Sequence, residues 1–209
     1  MFFGGRRANE MKRNSSRQKT VTRTFRIRRE WDEILQEEAE TQGLSVSVLL
    51  NQMSRKYSRY SRWADRYNDV NLSQQALREI LKAASLEKLA DAGKKSGATD
   101  FINTVNAIGL KNEYDSFVYM VTDFLGGHDY ARWFRCFHHQ HGDTDVFHLQ
   151  HDLGYGWSTF ISNYLTSGLK SLTGIEPETQ VRDYSVNIQV NLPRIEPLEK
   201  AQKIIKVSH

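Results

Sequence analysis

Residues 20–60 read TVTRTFRIRREWDEILQEEAETQGLSVSVLLNQMSRKYSRY and begin with a short alternating pattern. Val21, Phe25 and Ile27 stand in one phase of that pattern, and Thr22, Thr24 and Arg26 stand in the other. A two-residue period is typical of a β-strand that buries one face. The sequence therefore predicts a short strand over residues 20–27.

Two helices are predicted after this strand, with a glycine turn between them. Trp31, Ile34, Leu35 and Ala39 recur at the spacing of one helix face. Gly43 is expected to end this helix, and Ser45 is expected to cap the next one. The apolar face of the second helix is formed by Val48, Leu49, Met53 and Tyr57. The predicted order is strand, helix, turn, helix.

A module of this kind needs a partner. A lone strand leaves its backbone groups unpaired, and a two-helix hairpin encloses little core. If two copies pair their strands, Phe25 and Ile27 turn inward onto four helices, while Thr22, Thr24 and Arg26 point outward from a two-stranded ribbon. Such a ribbon fits the DNA major groove, where arginine can donate two hydrogen bonds to guanine and threonine can contact either base type. The sequence thus predicts a homodimer, or a higher oligomer, whose partner is double-stranded DNA.

The order of elements resembles the ribbon-helix-helix (MetJ/Arc/CopG-like) DNA-binding proteins. The resemblance covers residues 20–60, through the strand TVTRTFRI, the helix REWDEILQEEAETQG and the turn-helix GLSVSVLLNQMSRKY. It implies that Thr22, Thr24 and Arg26 read bases, and that phosphate is bound by Arg28, Ser45, Val46 and Ser47. Arg23 departs from the family, because it falls in the inward phase where an apolar residue is preferred.

The distribution of charge supports a polyanionic partner. Residues 1–29 hold ten basic residues and one acidic residue, a formal balance of +9, whereas residues 68–209 hold fourteen basic and seventeen acidic residues, a balance of −3. The positive field is therefore concentrated at one end of the chain, where we expect nucleic acid to bind. Residues 1–18 are interpreted as a basic disordered tail.

Composition predicts a cytoplasmic, nucleoid-associated protein. No apolar run approaches the roughly 20 residues of a membrane span, and early charges leave no signal-peptide core. The single cysteine, Cys136, excludes an internal disulfide and fits a reducing compartment. Glycine-rich phosphate loops and nucleophile elbows are absent from the sequence, so catalysis is not expected.

The rest of the chain is predicted to be an α+β domain preceded by helices. Residues 61–109 are interpreted as a helical linker, with short helices capped by Ser73 and Ser85, a loop over residues 93–97 and a helix over residues 100–108. The predicted order in residues 110–192 is helix 115–124, strand 130–138, turn 142–143, strand 145–151, helix 156–172 and strand 184–192. Alternation in the last strand indicates an antiparallel sheet with one polar face. Residues 193–209 are expected to form a tail. This domain is predicted to be sensory or oligomerising, and it loosely resembles uncharacterised C-terminal domains of archaeal DNA-binding proteins.

A cluster of histidines suggests a metal site as an alternative. His128 precedes the candidate ligands, which are Cys136, His138, His139, His141, His148 and His151. Imidazole and thiolate are the usual ligands of zinc, nickel and copper. On a hairpin turning at residues 142–143, His138 or His139 could face His148 or His151. The domain order is similar to that of nickel-responsive ribbon-helix-helix regulators, although the cysteine here precedes the histidines instead of following them.

Three further hypotheses stay open. A DNA-coating architectural or partition protein would use the same ribbon, and a metal-binding enzyme or storage domain would use the histidine cluster. The passage HDLGYGWSTFISNYL, residues 151–165, could receive an anionic ligand at a helix N-terminus beside Tyr155 and Trp157, with Asp152 as a helix cap. A turn with core aromatics is the alternative interpretation of the same passage.

Overall fold

The computed structural model of the chain describes residues 20–67, 70–127 and 131–192. Residues 20–49 belong to one compact unit, and residues 50–67, 70–127 and 131–192 belong to a second. The predicted tails, residues 1–18 and 193–209, lie outside the described residues.

Two helices follow residues 20–28, and the turn between them lies where Gly43 and Ser45 predict it. Helix α1 spans Arg29–Thr41 and helix α2 spans Val46–Lys56. Gly43 has a φ of +65°, and the amides of Gly43 and Leu44 donate to the carbonyls of Glu40 and Ala39. This pair of hydrogen bonds is a Schellman motif, which favours glycine because the turn requires a left-handed backbone. The predicted helix-turn-helix part of the module is confirmed.

The strand predicted over residues 20–27 is not formed in the single chain. Residues 20–28 belong to no helix or strand, and all but Ile27 are exposed. A strand requires a hydrogen-bonded neighbour, and the described part of the chain places none beside these residues.

The second unit continues from α2 as a series of helices. A π-helical segment, Tyr57–Ser61, leads into α3 at Arg62–Tyr67. Helix α4 spans Gln74–Ala83 and α5 spans Leu86–Ala107, with Ser73 and Ser85 accepting hydrogen bonds from the amides three residues later, as predicted. Helix α6 (Tyr114–Tyr119) runs into a second π-helical segment, Met120–Leu125. Helix α7 spans Tyr155–Thr173.

A four-stranded antiparallel sheet forms the other part of this unit. Its strands are β1 (Arg135–His141), β2 (Thr144–Gln150), β3 (Glu178–Arg182) and β4 (Ser185–Asn191), in the spatial order β1-β2-β4-β3. The turn at residues 142–143 and strands β2 and β4 were predicted. The strand predicted over residues 130–138 is shifted, because β1 begins at Arg135 and ends at His141. Strand β3 was missed because its residues, ETQVR, are too polar to alternate. The predicted α+β class is confirmed for this unit.

Helix α5 runs straight through the segment predicted to be a loop over residues 93–97. Gly93 and Gly97 are buried against α7, where an added Cβ would lie 2.4 Å from the carbonyl oxygen of Phe160 and 2.1 Å from that of Tyr164, respectively. The two glycines therefore permit close backbone packing between helices and do not break the chain. The loop prediction was wrong because it interpreted this packing signal as a turn signal.

The core of the second unit includes the helices that were interpreted as a linker. Helix α7 packs against α5 and against β3 and β4. Phe101 and Val105 of α5 are fully buried in the same cluster as Phe147, Leu165 and Ile188. Helix α5 is therefore an integral layer of this unit. Within the described ranges, no helix is long and apolar enough to cross a membrane.

Candidate functional site

The predicted base-reading residues are exposed. Thr22, Thr24 and Arg26 precede α1, and their side chains contact solvent. Apolar Phe25, in the opposite phase, is also 63% exposed. The single chain therefore presents both faces of this segment, and it does not bring the three side chains into a paired ribbon.

The predicted phosphate-binding residues lie at the N-terminus of α2. The Ser45 Oγ accepts a hydrogen bond from the amide of Val48 at 3.3 Å, which confirms Ser45 as the helix cap. Val46 and Ser47 are the first two residues of the helix, where backbone N–H groups have no intrahelical acceptor. This arrangement suits an anion, because N–H groups and the positive end of the helix dipole point the same way.

Arg28 immediately precedes α1 and makes two surface contacts. Its Nη1 lies 3.4 Å from Glu30 Oε1, and its guanidinium carbon lies 5.1 Å from the ring centroid of Trp31. Both partners of the ion pair are exposed. An exposed pair contributes little to stability, about 0–1 kcal/mol, so Arg28 can exchange Glu30 for a phosphate at small cost.

The candidate metal ligands are divided between the two faces of the sheet. His138 of β1 is opposite Phe147 and Cys136 is opposite Leu149, on the face that carries the core. His139, His141 and His148 point to the other face, since side chains alternate along a strand. Among residues 20–67, 70–127 and 131–192, no group of three or more His, Cys, Asp or Glu side chains could hold a metal ion. The predicted single metal site is therefore not formed by these ligands. His128 lies outside the described residues.

Cys136 is poorly suited to ligation. Burial raises the pKa of its thiol to about 12, and the charge of Asp123 acts in the same direction. Metal binding requires the thiolate, which is scarce at neutral pH when the pKa is that high.

His151 has a structural role in a buried hydrogen-bond chain. The amide of Leu153 donates to its Nδ1 at 3.2 Å, so the proton of the neutral ring is on Nε2 and is donated to Ser158 Oγ at 2.8 Å. The Ser158 hydroxyl then donates to the carbonyl of Asp183 at 3.3 Å. This chain ties the end of β2 to α7 and to the β3–β4 turn, and the serine is not an activated nucleophile.

A second buried polar group lies on the core face of the hairpin. Asp145 is 2% exposed, and its Oδ2 accepts a hydrogen bond from Tyr114 Oη at 2.8 Å and lies 3.4 Å from His138 Nε2. Burial and this acceptor raise the pKa of Tyr114 well above its usual value. The His138 ring stacks on Phe147 with centroids 4.4 Å apart. Through its hydrogen bond with Tyr114, Asp145 therefore links α6 to β2.

The passage at residues 151–165 forms the turn and helix start that were predicted, with a different cap. Gly154, at a φ of +84°, is the residue before α7, and no side chain caps the helix. Arg78 of α4 donates two hydrogen bonds to the carbonyl oxygen of Asp152, at 3.1 and 2.9 Å. The indole of Trp157 is buried and donates to the carbonyl of Trp133 at 3.1 Å. The prediction of Asp152 as cap was wrong, and Trp157 belongs to the core.

A cavity of about 470 Å³ in the second unit was not predicted from the sequence. Its aromatic lining is supplied by Tyr60, Trp63, Phe124, Trp133, Phe160 and Tyr164. These rings come from four separate stretches of the chain, residues 60–63, 124, 133 and 160–164, so no local pattern could group them.

Comparisons with protein-family models, with curated proteins and with solved structures found no match. The fold of the described residues defines a class only: two helices joined by a glycine turn, followed along the chain by a mixed helical and antiparallel-sheet unit. Function must therefore be argued from the chemistry of individual surfaces.

Proposed function

We propose that this chain is a sequence-specific DNA-binding transcriptional regulator that acts as a homodimer through residues 20–60. A second copy pairs with residues 20–27 to form an antiparallel ribbon. Thr22, Thr24 and Arg26 then face the major groove, while Arg28 and the N-terminus of α2 contact the phosphates on either side.

The observation that carries this proposal is the apolar surface of the first unit. Val21, Phe25, Trp31 and Ile34 are 75%, 63%, 53% and 63% exposed, respectively. Among the described residues of that unit, only Ala39 and Leu49 are buried. Exposed apolar surface of this density marks an interaction site. A second copy is the occupant favoured by the sequence, because antiparallel pairing of identical alternating segments covers all of the apolar phase at once.

The basic charge of the same region favours DNA as the ligand of the outward-facing residues of the ribbon. Residues 1–29 carry a formal balance of +9. Arg26 is exposed and stands between Phe25 and Ile27, so a ribbon that buries its apolar phase must present Arg26 on the outer face. Arginine is the most frequent side chain in specific contacts with guanine.

Dimerisation is tested by sedimentation of purified full-length chain. Phe25→Glu places a charge in the apolar phase and is expected to yield monomer at concentrations where the unmodified chain is dimeric. Ile80→Glu is the matched control, since Ile80 is a similarly exposed apolar residue of α4, and it is expected to leave the dimer intact. A monomeric unmodified chain, or dissociation by both variants, contradicts the proposal.

DNA binding is tested by selecting bound duplexes from a pool of random sequence at low salt. A short palindromic or directly repeated motif is the expected result, and Arg26→Ala should remove the enrichment. Arg29→Ala is the control, because Arg29 is the first residue of α1 and lies outside the strand proposed to read bases. Mapping of bound genomic sites then separates a regulator of a few promoters from a protein that coats DNA. Absence of any binding at low salt rules the proposal out.

A further inference from the structure

The aromatic cavity of the second unit has the dimensions and the lining of a small-molecule site. Its volume of about 470 Å³ lies within the range of roughly 300–1,000 Å³ that is typical of such sites. Apolar walls are completed by Ala64, Met120, Leu125 and Ala131. All of its described lining residues belong to the second unit, and occupancy of the cavity can be tested without DNA.

The rings of one wall are held in place by one another. The Trp133 ring contacts Tyr164 and Trp157, with ring centroids 5.2 and 5.4 Å away. Phe160 stacks on Trp157 at 5.2 Å and on Tyr164 at 5.9 Å. Because the Trp157 indole also donates to the Trp133 carbonyl, this wall is rigid before any ligand arrives. A preorganised wall lowers the entropic cost of binding.

Another part of the cavity lining comes from both π-helical segments among the described residues. Tyr60 comes from Tyr57–Ser61, and Met120, Phe124 and Leu125 come from Met120–Leu125. The Tyr60 and Phe124 rings meet edge to face, with centroids 5.8 Å apart. Single π-helical turns are rare and occur frequently at functional sites. Convergence of two of them on one cavity is a second indication, independent of its volume, that the cavity has a function.

The polar residues of the lining, apart from its tyrosines and tryptophans, are all on α5 and carry one charge. They are Ser96, Asp100, Asn103 and Thr104. Asp100 is the only ionisable group other than tyrosine among the described lining residues, and none of them is basic. A ligand that fills the cavity therefore meets six aromatic side chains and one carboxylate. Both features favour a cation.

We propose that this cavity binds a small organic cation with an aromatic ring, such as an aryl-alkyl ammonium compound. The ring packs between the Trp133–Phe160 wall and the Tyr60–Phe124 pair, and the ammonium group pairs with Asp100. The guanidiniums of Arg62 and Arg66 already lie 4.5 and 4.9 Å from the Trp63 ring centroid, so Trp63 contributes contact area while the ligand cation is held elsewhere.

Three naphthyl probes of matched size test this proposal by calorimetry on the full chain. They are 1-naphthylmethylamine, which is a cation at neutral pH, the neutral 1-naphthylmethanol and the anionic 1-naphthylacetate. The cation should bind about tenfold more tightly than the neutral probe, and the anion should bind most weakly. Equal affinities for the three probes, or no binding of the cation at millimolar concentration, overturns the proposal.

Two pairs of variants locate the binding. Asp100→Asn should remove the preference for the cation while the neutral probe still binds, and Asp91→Asn, an exposed residue of α5 outside the lining, should change neither. Ala64→Trp fills the cavity and should block all three probes, whereas Ala98→Trp, exposed on α5, should not. If Asp100→Asn retains the cation preference, or if Ala64→Trp still binds while folded by circular dichroism, the cation is held at a different place. A failure of DNA binding leaves these outcomes unaffected.

Discussion

A Cβ on Gly97 would lie 2.1 Å from the carbonyl oxygen of Tyr164, so α5 and α7 contact each other through their backbones. Glycine in a helix is ordinarily destabilising by about 1 kcal/mol relative to alanine. At this position the sign should reverse, because a methyl group meets backbone that cannot rotate away. We expect Gly97→Ala to lower the free energy of unfolding by about 1–3 kcal/mol, measured by urea denaturation.

The control for that experiment is the reverse change at an exposed site of the same helix. Ala92 is exposed on α5, and Ala92→Gly should be destabilising by about 1 kcal/mol from helix propensity alone. If Gly97→Ala is stabilising while Ala92→Gly is destabilising, the close approach of the two helices is wrong.

Burial of His151 makes stability depend on pH. Loss of hydration in the core lowers the pKa of this imidazole to about 4, against an ordinary value of 6.5, although nearby Asp152 acts in the opposite direction. The neutral ring is also fixed by its hydrogen bonds, because a proton on Nδ1 would point at the amide of Leu153. The unfolded chain therefore binds more protons than the folded chain between these two pH values.

The stabilising contribution of His151 is fully present above about pH 6.5 and is lost as the pH falls toward 4. It amounts to about 3 kcal/mol, since each unit of pKa difference corresponds to about 1.4 kcal/mol. Urea denaturation at pH 7 and pH 4.5 measures this loss. His151→Gln, which cannot titrate, should show a smaller decrease over that interval, and the exposed His139→Gln should match the unmodified chain. An identical decrease in the free energy of unfolding of all three proteins would contradict the role given to His151.

The histidine cluster and Cys136 should bind no stoichiometric metal. The sheet separates His139, His141 and His148 from His138 and Cys136, and burial raises the pKa of the thiol to about 12. Elemental analysis of protein purified without a histidine tag checks that no metal is bound. To check the raised pKa of the Cys136 thiol, its reaction with a disulfide reagent is measured, which should be much slower in the native state than in urea. Rapid native labelling, or one zinc or nickel per chain, would restore the metal hypothesis.

Local signals in this sequence predicted local structure well. Ser45, Ser73 and Ser85 cap their helices, Gly43 adopts the left-handed turn and residues 142–143 form the hairpin turn. In each case, neighbouring residues supply both partners of the interaction, so the pattern is complete within a few positions.

Features that depend on distant contacts were not predictable in the same way. Gly93 and Gly97 signal a turn until α7 is known to lie against them, and the same contact makes α5 part of the core and not of a linker. The histidines share a short stretch of sequence, yet strand alternation sends them to opposite faces. The cavity brings together rings as far apart in sequence as Tyr60 and Tyr164. The periodicity of apolar residues along a sequence does not show which distant residues line the same cavity.

The roles proposed for Arg26 and Arg28 predict different dependences on salt and on DNA sequence. Arg26 is assigned to a base, so Arg26→Ala should weaken binding to the selected site by about 1–3 kcal/mol and reduce discrimination at one position. Arg28 is assigned to a phosphate, because its exposed ion pair with Glu30 competes only weakly with phosphate binding. Arg28→Ala should weaken binding to all sequences alike and reduce the slope of log affinity against log salt by about one. Titrations of specific and scrambled duplexes at several salt concentrations separate the two roles. Equal loss of specificity in both variants would mean that the ribbon register is shifted from the one proposed.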